Sequence, residues 1–185
     1  MLSPLSKADA RPKLDRKPSF TINQWLRVAL MVSLLSISAW IAIPLPFAQV
    51  PFTLQVIVVL LAPFLLGTSG AVIALAIYLL MGGIGLPVFS GFRGGLEILM
   101  GPSGGYLAGF LLAMPVIGIT MKKNILISLG LGLLMIYACG IVYMMILLRL
   151  TFVQALIAGA LPFLPWDLVK IILVRGLLKK IKYLC

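Results

Sequence analysis

From Val28 to Phe92 the chain carries no charged residue. One crossing of a bilayer takes about 20 apolar residues, so a stretch of this length must hold several spans. The rest of the composition agrees. Of 185 residues, 62% are hydrophobic and 10% charged, whereas a soluble domain carries about 25% charged residues. A water-facing surface needs more polar groups than these. A soluble domain, a disordered chain and a disulfide-stapled secreted fold are therefore excluded, leaving one all-α polytopic membrane domain. Fifteen basic residues stand against four acidic ones, a formal net charge of +11. In a soluble protein this excess would point to nucleic acid. Here its placement along the chain points to membrane topology, and no nucleic-acid partner is expected.

Helix breakers divide the apolar part into six expected spans. Residues 1–20 read as a basic cytosolic arm, and residues 21–185 as a six-helix membrane domain. The first span is expected over about Trp25 to Ile43, stopped by Pro44 and Pro46. A second, short and containing Pro63, covers about Thr53 to Leu66. Gly67-Thr68-Ser69-Gly70 is expected to form a tight turn, and a third span follows to about Gly83. Gly85 to Gly105 is dense in glycine and holds Arg93 and Glu97, so it reads as an outer loop of irregular backbone. The fourth span is expected at about Tyr106 to Thr120 and the fifth at about Ile125 to Leu148. The sixth starts near Pro165, with proline and then Asp167 as a helix-start signal, and runs to Lys179, Lys180 and Lys182.

Six spans put both termini on one side. Twelve of the fifteen basic residues fall there: five in the arm, Arg27, Lys122 and Lys123, and four in the tail. The positive-inside rule then places both ends in the cytosol of a multi-pass protein in a bacterial cytoplasmic membrane.

The chemical inventory is narrow. There is no histidine, and Cys139 and Cys185 lie in an apolar stretch and at the last residue. Zinc sites built on histidine and triads of the Ser-His-Asp or Cys-His kind are thus excluded, and no metal or cofactor is expected. A small membrane transferase is disfavoured because the membrane region holds only two acids, Glu97 and Asp167. A charge at membrane depth costs about 2.5–3.5 kcal/mol on insertion scales, so it is normally paired or functional. Asp167 and Lys170 are three apart and share one helix face. From spacing alone, a self-neutralising ion pair and a binding site are equally good readings. Arg93 alone reads as a loop arginine at the headgroups, paired with Glu97. Two further segments favour a site: Ile43 to Gln55, IPLPFAQVPFTLQ, and Gly85 to Phe110, GLPVFSGFRGGLEILMGPSGGYLAGF. Glycine pairs in the second let non-helical backbone fold over a cavity. With Arg93 and Tyr106 opposite Asp167 and Lys170, these make a pocket for a small polar molecule.

These two segments and Pro162 to Lys170, PFLPWDLVK, resemble the signature segments of the BioY family, the biotin-binding S components of energy-coupling-factor vitamin transporters. The resemblance runs from about Trp25 to Lys182, with the three segments in the family's order. It implies a six-helix S-component fold that binds biotin near the outer face. It also implies a transmembrane coupling protein and two cytosolic ATPases as partners. The family commonly has glycine where this chain has Trp166 and Phe92, and both departures are expected to put bulk beside the pocket. On this resemblance, Asp167 accepts from a ureido N–H and Lys170 donates to the ureido oxygen or compensates Asp167. Arg93 forks onto the ligand carboxylate, Gln55 adds a neutral hydrogen-bonding group, and Trp166, Tyr106 and Phe89 line the apolar middle. Other readings are an S component for another vitamin and a scaffold subunit without a ligand.

No G-x-x-x-x-G-K-[ST] phosphate loop occurs in the chain, so ATP use by that device falls to partners. Ser38-x-x-x-Ala42 is a small-residue face on the first span. Intramolecular packing is its ordinary use, and the resemblance implies docking on the coupling protein.

Overall fold

The computed structural model describes residues 20–44 and 48–184. The basic arm expected over residues 1–20 lies outside the described residues except for Phe20, and so does Pro46. Among the described residues the order is α1 (Ile22–Trp40), β1 (Ala42–Ile43), β2 (Phe52–Thr53), α2 (Gln55–Gly83), α3 (Leu96–Met100), α4 (Gly104–Thr120), α5 (Ile125–Leu148), α6 (Phe152–Gly159) and α7 (Leu164–Leu184).

The first helix starts and stops three residues earlier than expected. Thr21 forms a capping box with Gln24, each side chain accepting from the other's backbone N–H, which satisfies two orphan donors and sets the start. At the other end Ile41 leaves helical geometry. Ala42 and Ile43 then pair antiparallel with Thr53 and Phe52, so α1 gives way to a short strand pair before Pro44.

α2 is two helices run together across a break at Gly67, which has φ +71° and ψ 169°. Gln55 and Tyr78 line the same cavity. On a straight helix they would lie about 34 Å apart at 1.5 Å per residue. At the break, Thr68 meets Gly118 near the end of α4, and Gly70 faces Phe20 beside the start of α1. The chain therefore doubles back at Gly67, a conformation that needs no Cβ. The expected tight turn is confined to this one residue, since 68–70 are helical. α1, α2 and α5 are long and apolar enough to cross a membrane, and α6 with α7 form a pair bent by 54°. With α2 doubled and α4 apolar along its length, the arrangement is compatible with the six expected crossings.

α5 occupies the expected residues. Asn124 caps it, its side chain accepting from the amides of Leu126 and Ile127, and Arg149 ends it in the left-handed region. The loop between α2 and α4 departs from the expected irregular backbone by one element, the five-residue α3 with Glu97 in its first turn. α4 packs along α5, while α2 packs against α1, α4 and α7. Phe20 and the lysines after α4 mark one end of the bundle, and the hairpin and α3 close the other, where the cavity lies.

Candidate functional site

A partly open cavity lies at this end of the bundle, with about 690 Å³ of free space when its mouth and the open space before it are counted. Its walls come from the β1–β2 hairpin, both arms of α2, the α2–α3 loop and helices α3, α4, α5 and α7. Phe52, Phe89, Tyr106, Phe110 and Phe163 make it aromatic and apolar. At one wall sit Asp167 and Lys170, 3% and 4% exposed.

The pair is an ion pair, with Lys170 Nζ 2.7 Å from Asp167 Oδ1. Removing two charges from water costs several kcal/mol per ion unless each is compensated. Here both are. Tyr137 on α5 donates its hydroxyl to Asp167 Oδ2. Lys170 donates to the backbone carbonyl of Thr53 at 2.8 Å, and its ammonium lies 4.0 Å from the centre of the Phe52 ring, a cation–π contact. Lys170 thus ties the hairpin to α7. The couple is neutral as a unit, with Oδ1 taken by the Lys170 ammonium in a short, charge-assisted contact. Such a site suits a neutral head with N–H donors beside a carbonyl acceptor better than a charged one.

Gln55, the first residue of α2, is 4% exposed, and its Nε2 has no partner among the described residues. A buried unsatisfied donor costs about 1–3 kcal/mol. A turn of the amide toward a ligand acceptor in the cavity it lines would relieve that cost. Gln55→Leu is therefore expected to leave the ligand-free protein as stable as wild type, or more so, while weakening the ligand severalfold. Thermal unfolding with and without ligand checks both signs, and a destabilised apo protein with unchanged affinity would contradict this reading.

The structure brings together Asp167, Lys170, Gln55, Tyr106 and Phe89. Tyr106 is braced by its hydroxyl donating to the Gly159 carbonyl at 2.8 Å. Phe89 packs edge-on to Tyr78. Arg93 and Trp166 lie outside the cavity lining. Arg93 is exposed, with Nε donating to the carbonyl of cavity-lining Ser90, and it makes no ion pair with Glu97. Trp166 is 61% exposed and meets the edge of Phe52 from outside. Phe92, with φ +55°, stacks on Trp40. Neither bulky residue fills the pocket, because both point away from it. Ser38 is buried within the bundle and Ala42 lies beyond α1, in β1.

Tyr137, Phe52 and the Thr53 carbonyl were not singled out from sequence. Tyr137 had a usable signal: a phenol in an apolar span, here one of two in α5 with Tyr143, needs a partner at membrane depth. Its partner, 30 positions away, is not marked by any local pattern.

Comparison with known proteins gives one answer. A model described as the BioY family matches residues 11–185. The biotin transporter BioY of Thermotoga maritima is 38% identical over 168 residues, covering 88% of this chain and 98% of that protein. The probable biotin transporter BioY of Pyrococcus horikoshii is 39% identical over 143 residues, covering 77% and 86%. Among solved structures, the S-component for biotin from an ECF-type ABC transporter superposes with a TM-score of 0.79 at 29% identity, over 89% of this chain and 95% of that one. Matched along nearly its whole length by sequence and by fold, this multi-pass membrane chain belongs to the BioY family.

Proposed function

We propose that this chain is a biotin-uptake component of the bacterial cytoplasmic membrane, with both termini cytosolic, that captures biotin from outside as the S component of an energy-coupling-factor transporter. The observation that carries this reading is the buried Asp167–Lys170 couple at 2.7 Å on the wall of an aromatic cavity. Biotin's ureido ring presents N–H donors beside a carbonyl, matching a carboxylate that still has accepting capacity and an ammonium that can donate. The aromatic walls suit its sulfur ring and carbon chain. The relatives are transporters, which agrees with binding and hand-over rather than catalysis.

Calorimetry with biotin in detergent tests the assignment. Asp167→Asn is expected to weaken binding at least tenfold, about 1.4 kcal/mol, and unchanged affinity would remove Asp167 from the site. A panel of other vitamins separates biotin from its rivals. Arg93 stands at the rim through Ser90 and is assigned to the ligand carboxylate. Arg93→Ala should then cost biotin more than an uncharged biotin amide, and equal losses would refute that role.

Energy is supplied by partners, a transmembrane coupling protein and two cytosolic ATPases, since the chain has no phosphate loop. Ser38 faces inward, so the small residues that α1 offers to its surroundings are Ala29 and Ser33, both exposed and four apart. That spacing lets a partner helix approach closely. Ala29→Leu with Ser33→Leu is expected to reduce recovery of the coupling protein in a pull-down while leaving biotin binding intact. Full recovery would place the interface elsewhere.

A further inference from the structure

We propose that Tyr137 is a positioning residue for ligand binding, fixing the orientation of the Asp167 carboxylate and of its pair with Lys170 on the cavity wall. This rests on the reading of the cavity as a biotin site. A carboxylate has two oxygens with about four acceptor positions. In this site they are divided. Oδ2 accepts the Tyr137 hydroxyl, and Oδ1 takes the Lys170 ammonium at 2.7 Å. The two contacts come from different helices, α5 and α7, so they fix the plane of the carboxylate. With the hydroxyl removed, nothing described holds Oδ2, and the carboxylate is free to turn both oxygens onto Lys170, three residues along the same helix. The couple would then meet a ligand N–H in a different orientation from the one the two helices now fix.

Tyr137 is itself held. Its ring meets the edge of Tyr106 at 6.4 Å and 87°, and Tyr106 is anchored on the Gly159 carbonyl at the end of α6. A Cβ at Gly140 would lie 2.3 Å from the Tyr106 ring, and one at Gly159 2.3 Å from its hydroxyl. The Tyr106 slot therefore exists only because both positions are glycine. The phenol is supported from behind and has one polar task, the carboxylate.

The test is a double-mutant cycle on full-length protein in detergent, reading biotin affinity. Tyr137→Phe keeps the ring and its packing and is expected to weaken biotin about tenfold. In an Asp167→Asn background the same change is expected to cost less than about twofold, because there is no carboxylate to position. Equal losses in both backgrounds would overturn the proposal, since the tyrosine would then act independently of Asp167. A second readout needs no ligand. The chain has three aspartates, Asp9, Asp15 and Asp167, and two lie in the N-terminal arm. Infrared difference spectra of protein labelled with carboxylate-13C aspartate should show a shifted carboxylate band in Tyr137→Phe, and an unshifted band would also overturn the proposal. If wild type fails to bind biotin, the functional reading falls by itself. If wild type binds and Asp167→Asn does not, while Tyr137→Phe is silent, only the role of Tyr137 falls.

Discussion

Lys170→Met is expected to destabilise the protein by about 3–5 kcal/mol, the range for removing one partner of a buried ion pair, and to reduce biotin affinity by at least tenfold. Three contacts go at once: the ion pair, the bond to the Thr53 carbonyl and the cation over Phe52. Asp167 is left as an uncompensated charge with only Tyr137 for a partner. The hairpin also loses its tie to α7. Methionine retains the length and apolar stem of lysine, so little of the loss comes from packing. Combining Lys170→Met with Asp167→Asn should recover much of the stability, because no buried charge remains, and recover none of the affinity. Thermal unfolding and biotin calorimetry on the three variants separate the two effects. A double variant as unstable as Lys170→Met would show that the lysine acts through packing.

Gly104→Ala is expected to disrupt the cavity from a distance. A Cβ at Gly104 would lie 1.8 Å from the carbonyl oxygen of Leu99 and 2.8 Å from its carbon. Both are backbone atoms, so no side chain can rotate to make room. Overpacking of this kind costs about 1–3 kcal/mol, and more where backbone must move. The displaced elements are α3 and the first turn of α4, which bring Ile98, Ser103, Tyr106 and Leu107 to the cavity wall. Stability and biotin affinity should therefore fall together. Gly130→Ala is the control: it lies inside α5 with nothing within 4 Å of its Cβ. Alanine there is expected to be neutral or stabilising by up to about 1 kcal/mol. If Gly104→Ala behaves like Gly130→Ala, the close approach of α3 to α4 has no energetic weight.

Much of this architecture was legible before any coordinates. The limits of α5 were, because Lys122 and Lys123 stand before it and Arg149 after it. The reversal near Gly67 was, because glycine tolerates a conformation that a Cβ would penalise. The Asp167–Lys170 couple was, because a three-residue spacing in a helix puts both groups on one face. The short strands and the early end of α1 were not. They depend on pairing Ala42–Ile43 with Phe52–Thr53, a partnership that a proline-rich string does not display. Arg93 and Trp166 are expected in the pocket on chemistry and resemblance. Neither is part of its lining: Arg93 sits at the rim on the Ser90 carbonyl, and Trp166 meets Phe52 from outside.

Composition, charge placement and the spacing of prolines and glycines determined a polytopic helical domain and an acid–base couple on one face of its last crossing, while the likeness of three segments to known ones pointed to the family. Only the tertiary structure decided which faces turn inward: Ser38 rather than Ala29 and Ser33, Tyr137 onto Asp167, Lys170 onto the Thr53 carbonyl. In water, burial follows hydrophobicity, so an amphipathic pattern marks the inner face of a helix. In a bilayer the lipid is as apolar as the protein interior, and that mark disappears. Packing shape and the pairing of the few polar groups then set the orientation of each helix, through contacts between residues far apart in the chain.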